Sequence, residues 1–175
     1  MKKFKLTSEF IVDISGVKLF RIKALIEFGN VKAGDLGGYI EKEENLSHMG
    51  DAWVSGDARI SGNAQVFGDA WVYGNARVFG DAGVSGNARV FGDAQVSGDA
   101  RVSGDKDYAY AHGFGSCNRT TTFFRLKDGD VGVRCGCFYG TLAQFRDKVC
   151  ETHGETKKAQ EYLMLADLME IRFKN

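Results

Sequence analysis

Three histidines, four cysteines and one short run of hydroxyl and arginine side chains are the groups in this chain best equipped for chemistry. Cys135-x-Cys137 puts two thiols on one face of a strand, and Cys150-x-x-His153 puts two ligand types on one face of a helix. Together they could form a four-ligand zinc site. The spacings match no known zinc module, however, and small buried apolar roles suit Cys135, Cys137 and Cys150 equally well, so no metal or cofactor is expected. The segment from His112 through Ser116, Arg119 and Thr120 to Thr122 is the densest cluster of ligand-type groups. Its glycines permit close backbone approach and its hydroxyls donate hydrogen bonds. Arg119, with nearby Arg125 and Arg134, could clamp a phosphate or carboxylate, with Phe114 or Tyr108 stacking beside it. A connecting loop of solvated polar residues would read the same way.

The bulk numbers limit what these groups can serve. With 23 basic and 23 acidic residues among 175, net charge is zero and the pI is about 6.8. No global field draws the chain to nucleic acid or to an anionic membrane, so general nucleic-acid binding is not expected. No window approaches the roughly 18 apolar residues of a membrane span, and Met1-Lys2-Lys3-Phe4-Lys5-Leu6 lacks the apolar core of a signal peptide. A cytoplasmic location is expected, where cysteines stay reduced and disulfides do not hold the fold. There are 23 glycines and no proline, so the glycines must serve ordered turns.

They do so in a repeat. From Gly50 to Gly104 the pattern Gly-Asp/Asn-Ala-x-Val-x recurs every six residues without insertion. In Ala-x-Val-x, alternation sends Ala and Val to one face and the variable residues to the other. Gly-Asp/Asn supplies a corner, since these residues tolerate positive φ. Such short apolar strands bury their inward faces only by stacking as parallel coils.

The stretch resembles the hexapeptide-repeat proteins, whose aliphatic residue followed four positions later by a small one is matched by Val54 and Ala58, Ile60 and Ala64, and Val66 and Ala70. Glycine two residues after the aliphatic one, as Gly56 after Val54, departs from the commonest spacing and resembles divergent bacterial and phage members. The resemblance covers about a third of the chain. It implies a left-handed parallel β-helix with three hexads per coil, so residues 18 apart stack about 4.8 Å above one another. One face then carries Trp53, Ser55, Trp71, Tyr73, Arg89 and Phe91. The second carries Arg59, Ser61, Arg77, Phe79, Gln95 and Ser97; the third carries Gln65, Phe67, Gly83, Ser85, Arg101 and Ser103. The aromatic face, with Trp53, Trp71, Tyr73, Arg89 and Phe91, is expected to be an interface for self-association, to be covered by a flanking segment, or to stack a ligand on its aromatic rungs. Enzymes of that family are mostly acyltransferases using a histidine base, or carbonic anhydrases with three histidine ligands. No histidine lies in the regular hexads, which leaves His48 as the acyltransferase candidate.

The flanks must hold whatever the repeat positions. Glu9–Ile14 and Lys18–Ile22 read as a hairpin over Ser15-Gly16-Val17. Gly34–Tyr39 reads as an irregular first coil, with Ile40 and Leu46 inward. Thr120–Leu126 and Val131–Phe138 read as strands across Lys127–Asp130. Thr141 starts a helix with Gln144 at the capping-box position, Gly154 ends it, and Glu155–Phe173 is a second helix. The expected architecture is mostly β: residues 1–49 an N-terminal β cap, 50–105 a parallel β-solenoid, and 106–175 an α+β module. The expected function is a non-catalytic, homo-oligomeric binding protein, its solenoid a spine and its C-terminal module holding a partner or a small anionic, nucleotide-like ligand. The alternatives are an acyltransferase and a purely structural, polymer-forming or phage accessory protein.

Overall fold

Each hexad makes one short strand because only the outward residue and the following valine pair with the coils above and below. In the computed structural model, which describes residues 1–174, the strands are β4 Trp53–Val54, β5 Arg59–Ile60, β6 Gln65–Val66, β7 Trp71–Val72, β8 Arg77–Val78, β9 Gly83–Val84, β10 Arg89–Val90, β11 Gln95–Val96 and β12 Arg101–Val102. The four-residue strands expected from alternation are therefore two residues long. Pairing is parallel and offset by three strands, with Trp53 beside Trp71 and Trp71 beside Arg89. Arg59 lies beside Arg77, and Gln65 beside Gly83. Three hexads thus complete one coil. The inward Ala52–Ala100 and Val54–Val102 columns are at most 1% exposed and form one continuous core.

The corners need glycine for two reasons. Gly74 has φ +71°, and a Cβ there would stand 3.1 Å from the Gly92 nitrogen of the next coil. The corner Asp and Asn, expected to share the positive φ, do not: among the described non-glycine residues only Cys117 and Asn118 adopt it, and neither is in the repeat. They link tiers instead, Asn63 donating to Asp81 at 3.0 Å and Asn75 to Asp93 at 3.1 Å.

Before the coils, β1 (Phe4–Val12) pairs antiparallel with β2 (Lys18–Ala24), and β2 with β3 (Leu36–Ile40). β3 then pairs parallel with β5, so the hairpin extends the second solenoid face into a sheet of order β1-β2-β3-β5-β8-β11. The first strand begins earlier than expected, and Ile14 falls in the turn, where the Asp13 carboxylate accepts from the Ser15 and Val17 amides. Ile40 and Leu46 point inward as expected. Gly38 is glycine because its Cβ would sit 2.7 Å from the Ala58 carbonyl.

After the coils comes an antiparallel sheet of order β13 (Tyr108–Phe114), β14 (Arg119–Arg125), β15 (Val131–Cys135) and β16 (Phe138–Thr141), followed by α1 (Leu142–His153) and α2 (Lys157–Phe173). Neighbouring residues of β14 face opposite ways. Phe123 joins Phe145, Tyr162 and Ala166 under the helices, whereas Phe124 joins the solenoid core. The Thr141 hydroxyl accepts from the Gln144 amide and Gln144 reciprocates, the expected capping box. Two expectations change. Tyr108–Phe114 is a strand rather than loop, and the strand expected over Val131–Phe138 breaks at Gly136-Cys137 into two.

Candidate functional site

On the second solenoid face, Arg59 and Arg77 project outward from β5 and β8 one tier apart. The tip of the β1–β2 hairpin folds beside them, and β15 descends from the C-terminal sheet on the same side. The result is a cavity of about 270 Å³ lined by Asp13, Ser15, Arg59, Arg77, Phe79, Gln95, Arg134 and their neighbours. Arg134 is opposite Thr122 in the register, so it faces the solenoid, and its guanidinium carbon lies 5.2 Å from the Phe79 ring centroid. Its Nε is buried without a hydrogen-bond partner. Among the described residues none of Arg59, Arg77 and Arg134 takes part in an ion pair. The lining contains one acid, Asp13, whose Oδ1 is committed to the hairpin turn. On their other flank Arg59 and Arg77 share a shallower hollow with Asp57 and Asp93, neither at ion-pairing distance. Like charges one strand spacing apart, about 4.8 Å, repel until an anion lies among them.

The other residues expected at a ligand site are not gathered here. His112 is exposed and pairs through Nδ1 with the Thr120 hydroxyl at 2.9 Å. The Ser116 amide donates to the Tyr162 hydroxyl at 3.0 Å, and burial pushes that hydroxyl above its ordinary range. Thr122 is fully buried, and its hydroxyl accepts from the Gln95 amide. Arg125 is on the helix side of the sheet, donating to the Gly129 and Phe173 carbonyls over the Phe173 ring. Arg119 is exposed, its guanidinium against Gly136 at the cleft margin. The three arginines do not meet at one point: Arg125 lies on the helix face, Arg119 reaches the cleft margin at Gly136, and Arg134 lies in the cleft with Arg59 and Arg77. Those two went unassigned, although their 18-residue spacing on one face was a readable signal.

The cysteines, His48 and the aromatic face take the following places. Cys135 receives a hydrogen bond from the Thr121 hydroxyl, Cys137 sits exposed in a turn, and Cys150 is exposed on α1. Among the described residues no group of three His, Cys, Asp or Glu side chains could hold a metal ion. His48 has both ring nitrogens engaged, Nδ1 accepting from the Lys3 amide at 3.1 Å and Nε2 lying 2.7 Å from Glu43. Its ring stacks on Phe4 at 4.3 Å, the setting of a structural histidine rather than a free base. The aromatic face is also not open along its length. Trp53 is 3% exposed beneath Phe4 and Phe28, and Phe91 packs edge-on against Tyr108 and Tyr110.

A model of the YdcK β-solenoid repeat matches residues 58–73, 70–86 and 94–105. The chain is a repeat-based β-helix protein. All three matches lie within the coils, so they concern the scaffold and carry no function to the cleft. No curated protein matches the chain. No helix among the described residues is long and apolar enough to cross a membrane.

Proposed function

We propose that this β-solenoid protein is a non-catalytic binding protein whose cleft between the second solenoid face, the N-terminal hairpin and strand β15 captures a small anion. The observation that carries the reading is the convergence of Arg59, Arg77 and Arg134 on one cavity with no acid paired to any of them. Guanidinium groups match phosphate and carboxylate oxygens with paired N–H donors, and a half-enclosed site strengthens those bonds. The cavity suits a phosphate, a small di- or tricarboxylate, or the phosphate end of a nucleotide. The left-handed turn and the cytoplasmic setting implied above belong to the same reading.

Polymerisation by end-on stacking of solenoids is the less favoured alternative, because both open edges are already hydrogen-bonded to flanking residues. Thermal denaturation in phosphate, citrate and AMP tests the anion reading. A ligand at about 100 times its Kd adds about 2.7 kcal/mol, raising Tm by several degrees in a chain of this size. Arg77→Gln is expected to abolish the rise, whereas Arg89→Gln, which removes the same charge from another face, is expected to keep it. No shift with any of the three anions would refute the assignment.

A further inference from the structure

The first solenoid face holds a second cavity, of about 510 Å³, independent of the arginine cleft. Its floor is Trp71 and Tyr73, both half-buried. In the neighbouring tiers Phe28 packs edge-on against Trp53 at 5.4 Å, and Phe91 stacks on Tyr73 at 5.3 Å and 13°. Beneath Tyr73 the tier holds Ser55, one coil earlier in the same column and too small to cover a ring. One face of Tyr73 is therefore left to the groove, beside the Trp71 indole. A ladder built for self-association would continue its rings through that tier.

The rim selects among flat ligands. Asp51 and Asp69 stand together on it, the Asp51 amide donating to Asp69 Oδ1 at 3.2 Å, and Arg89 faces them. With the buried Lys3 ammonium attracted to both carboxylates and Arg89 on the same rim, the charges balance and select no ion, while carboxylate oxygens, the Asn87 amide and the Arg89 N–H groups suit a molecule dense in hydroxyls. An aromatic floor rewards a ligand with an apolar ring face. Pyranose rings combine an apolar C–H face with a rim of hydroxyl donors and acceptors. We infer that the Trp71–Tyr73 groove is a saccharide-binding site, sized for one or two pyranose units stacked on the two rings and hydrogen-bonded at the rim by Asp51, Asp69 and Arg89.

Tryptophan fluorescence tests this on the full chain, since Trp53 is buried and Trp71 supplies the responsive signal. The probes are maltose, cellobiose and N,N′-diacetylchitobiose, titrated into the tens of millimolar, above a Kd expected at about 1 mM or tighter. At least one disaccharide is expected to give a saturable change. Trp71→Ala, which removes the reporter and is therefore read by calorimetry, should weaken binding about tenfold or more, the size of one lost stacking contact. Ser55→Phe fills the tier under Tyr73 without removing any contact, so it should abolish binding, read by calorimetry, while leaving the fold and phosphate binding at Arg77 intact. The inference is overturned if no disaccharide saturates, or if binding survives Ser55→Phe. It is equally overturned if the mass of the wild-type particle falls on Trp71→Ala, which would make the groove a contact between copies.

Discussion

The two ends of the solenoid are chemically opposite, and the residues that close them follow from that. Each coil donates its N–H groups to carbonyls of the coil after it, as Trp53 to Ala70 and Arg77 to Ala94. The first coil is therefore left with open carbonyls and the last with open N–H groups. At the first end the Lys3 ammonium donates to the Gly50 and Ala52 carbonyls, and the Asn45 amide donates to those of Gly62 and Ala64. Each side chain stands in for two backbone N–H groups of a coil that is not there. At the last end the stand-ins are acceptors. Asp105 takes the Arg89 amide, Thr122 the Gln95 amide, and Asp107 the amides of Ser103 and Gly104 with the Ser103 hydroxyl. A parallel stack thus demands donors at one end and acceptors at the other, which also explains a buried lysine only 1% exposed.

The largest break in this pattern is expected from Asp107→Ala, which leaves two backbone donors and a hydroxyl without their acceptor. Chemical denaturation should show a loss of about 3 kcal/mol. Next comes a pH effect confined to the donor end. Desolvation lowers the Lys3 ammonium from 10.5 to about 8, against the attraction of Asp51 and Asp69. Between those values the unfolded chain binds more protons than the folded one, so stability should rise from pH 8 to pH 10 by about 2 kcal/mol. It should be flat for this group below pH 7, and Lys3→Met should remove the rise. Above that window Tyr108 and Tyr162, whose hydroxyls burial pushes up, lose protons first in the unfolded chain and reverse the trend. The smallest effect is Thr122→Val, which keeps the volume and removes one acceptor, for about 1 kcal/mol.

The ends were also where the sequence was least readable. Period six and alternation carried the coils, the inward columns and the sorting of outward residues into three faces, because every hexad meets the same neighbours 18 residues away. The capping box carried the start of α1, and helical spacing carried α1 and α2, for the same local reason. Lys3, Asn45 and Asp107 look like ordinary surface residues in sequence, since what fixes them is an unpaired carbonyl or amide far along the chain. The same limit hid the cleft: Arg59 above Arg77 was visible as a column, whereas Arg134 joins them only because β15 pairs with β14 in one register. The cover over Trp53 is of the flanking-segment kind, but that Phe4 and Phe28 supply it is set by contacts from outside the repeat.

The central functional claim is that Arg59 and Arg77 of the second face and Arg134 of β15, none of them in an ion pair among the described residues, hold one anion. Isothermal titration of the full chain with phosphate and with citrate measures this directly. One site per chain is expected, lost in Arg77→Gln and in Arg134→Gln and retained in Arg89→Gln. Absence of binding, or binding unchanged by both cleft substitutions, would contradict it.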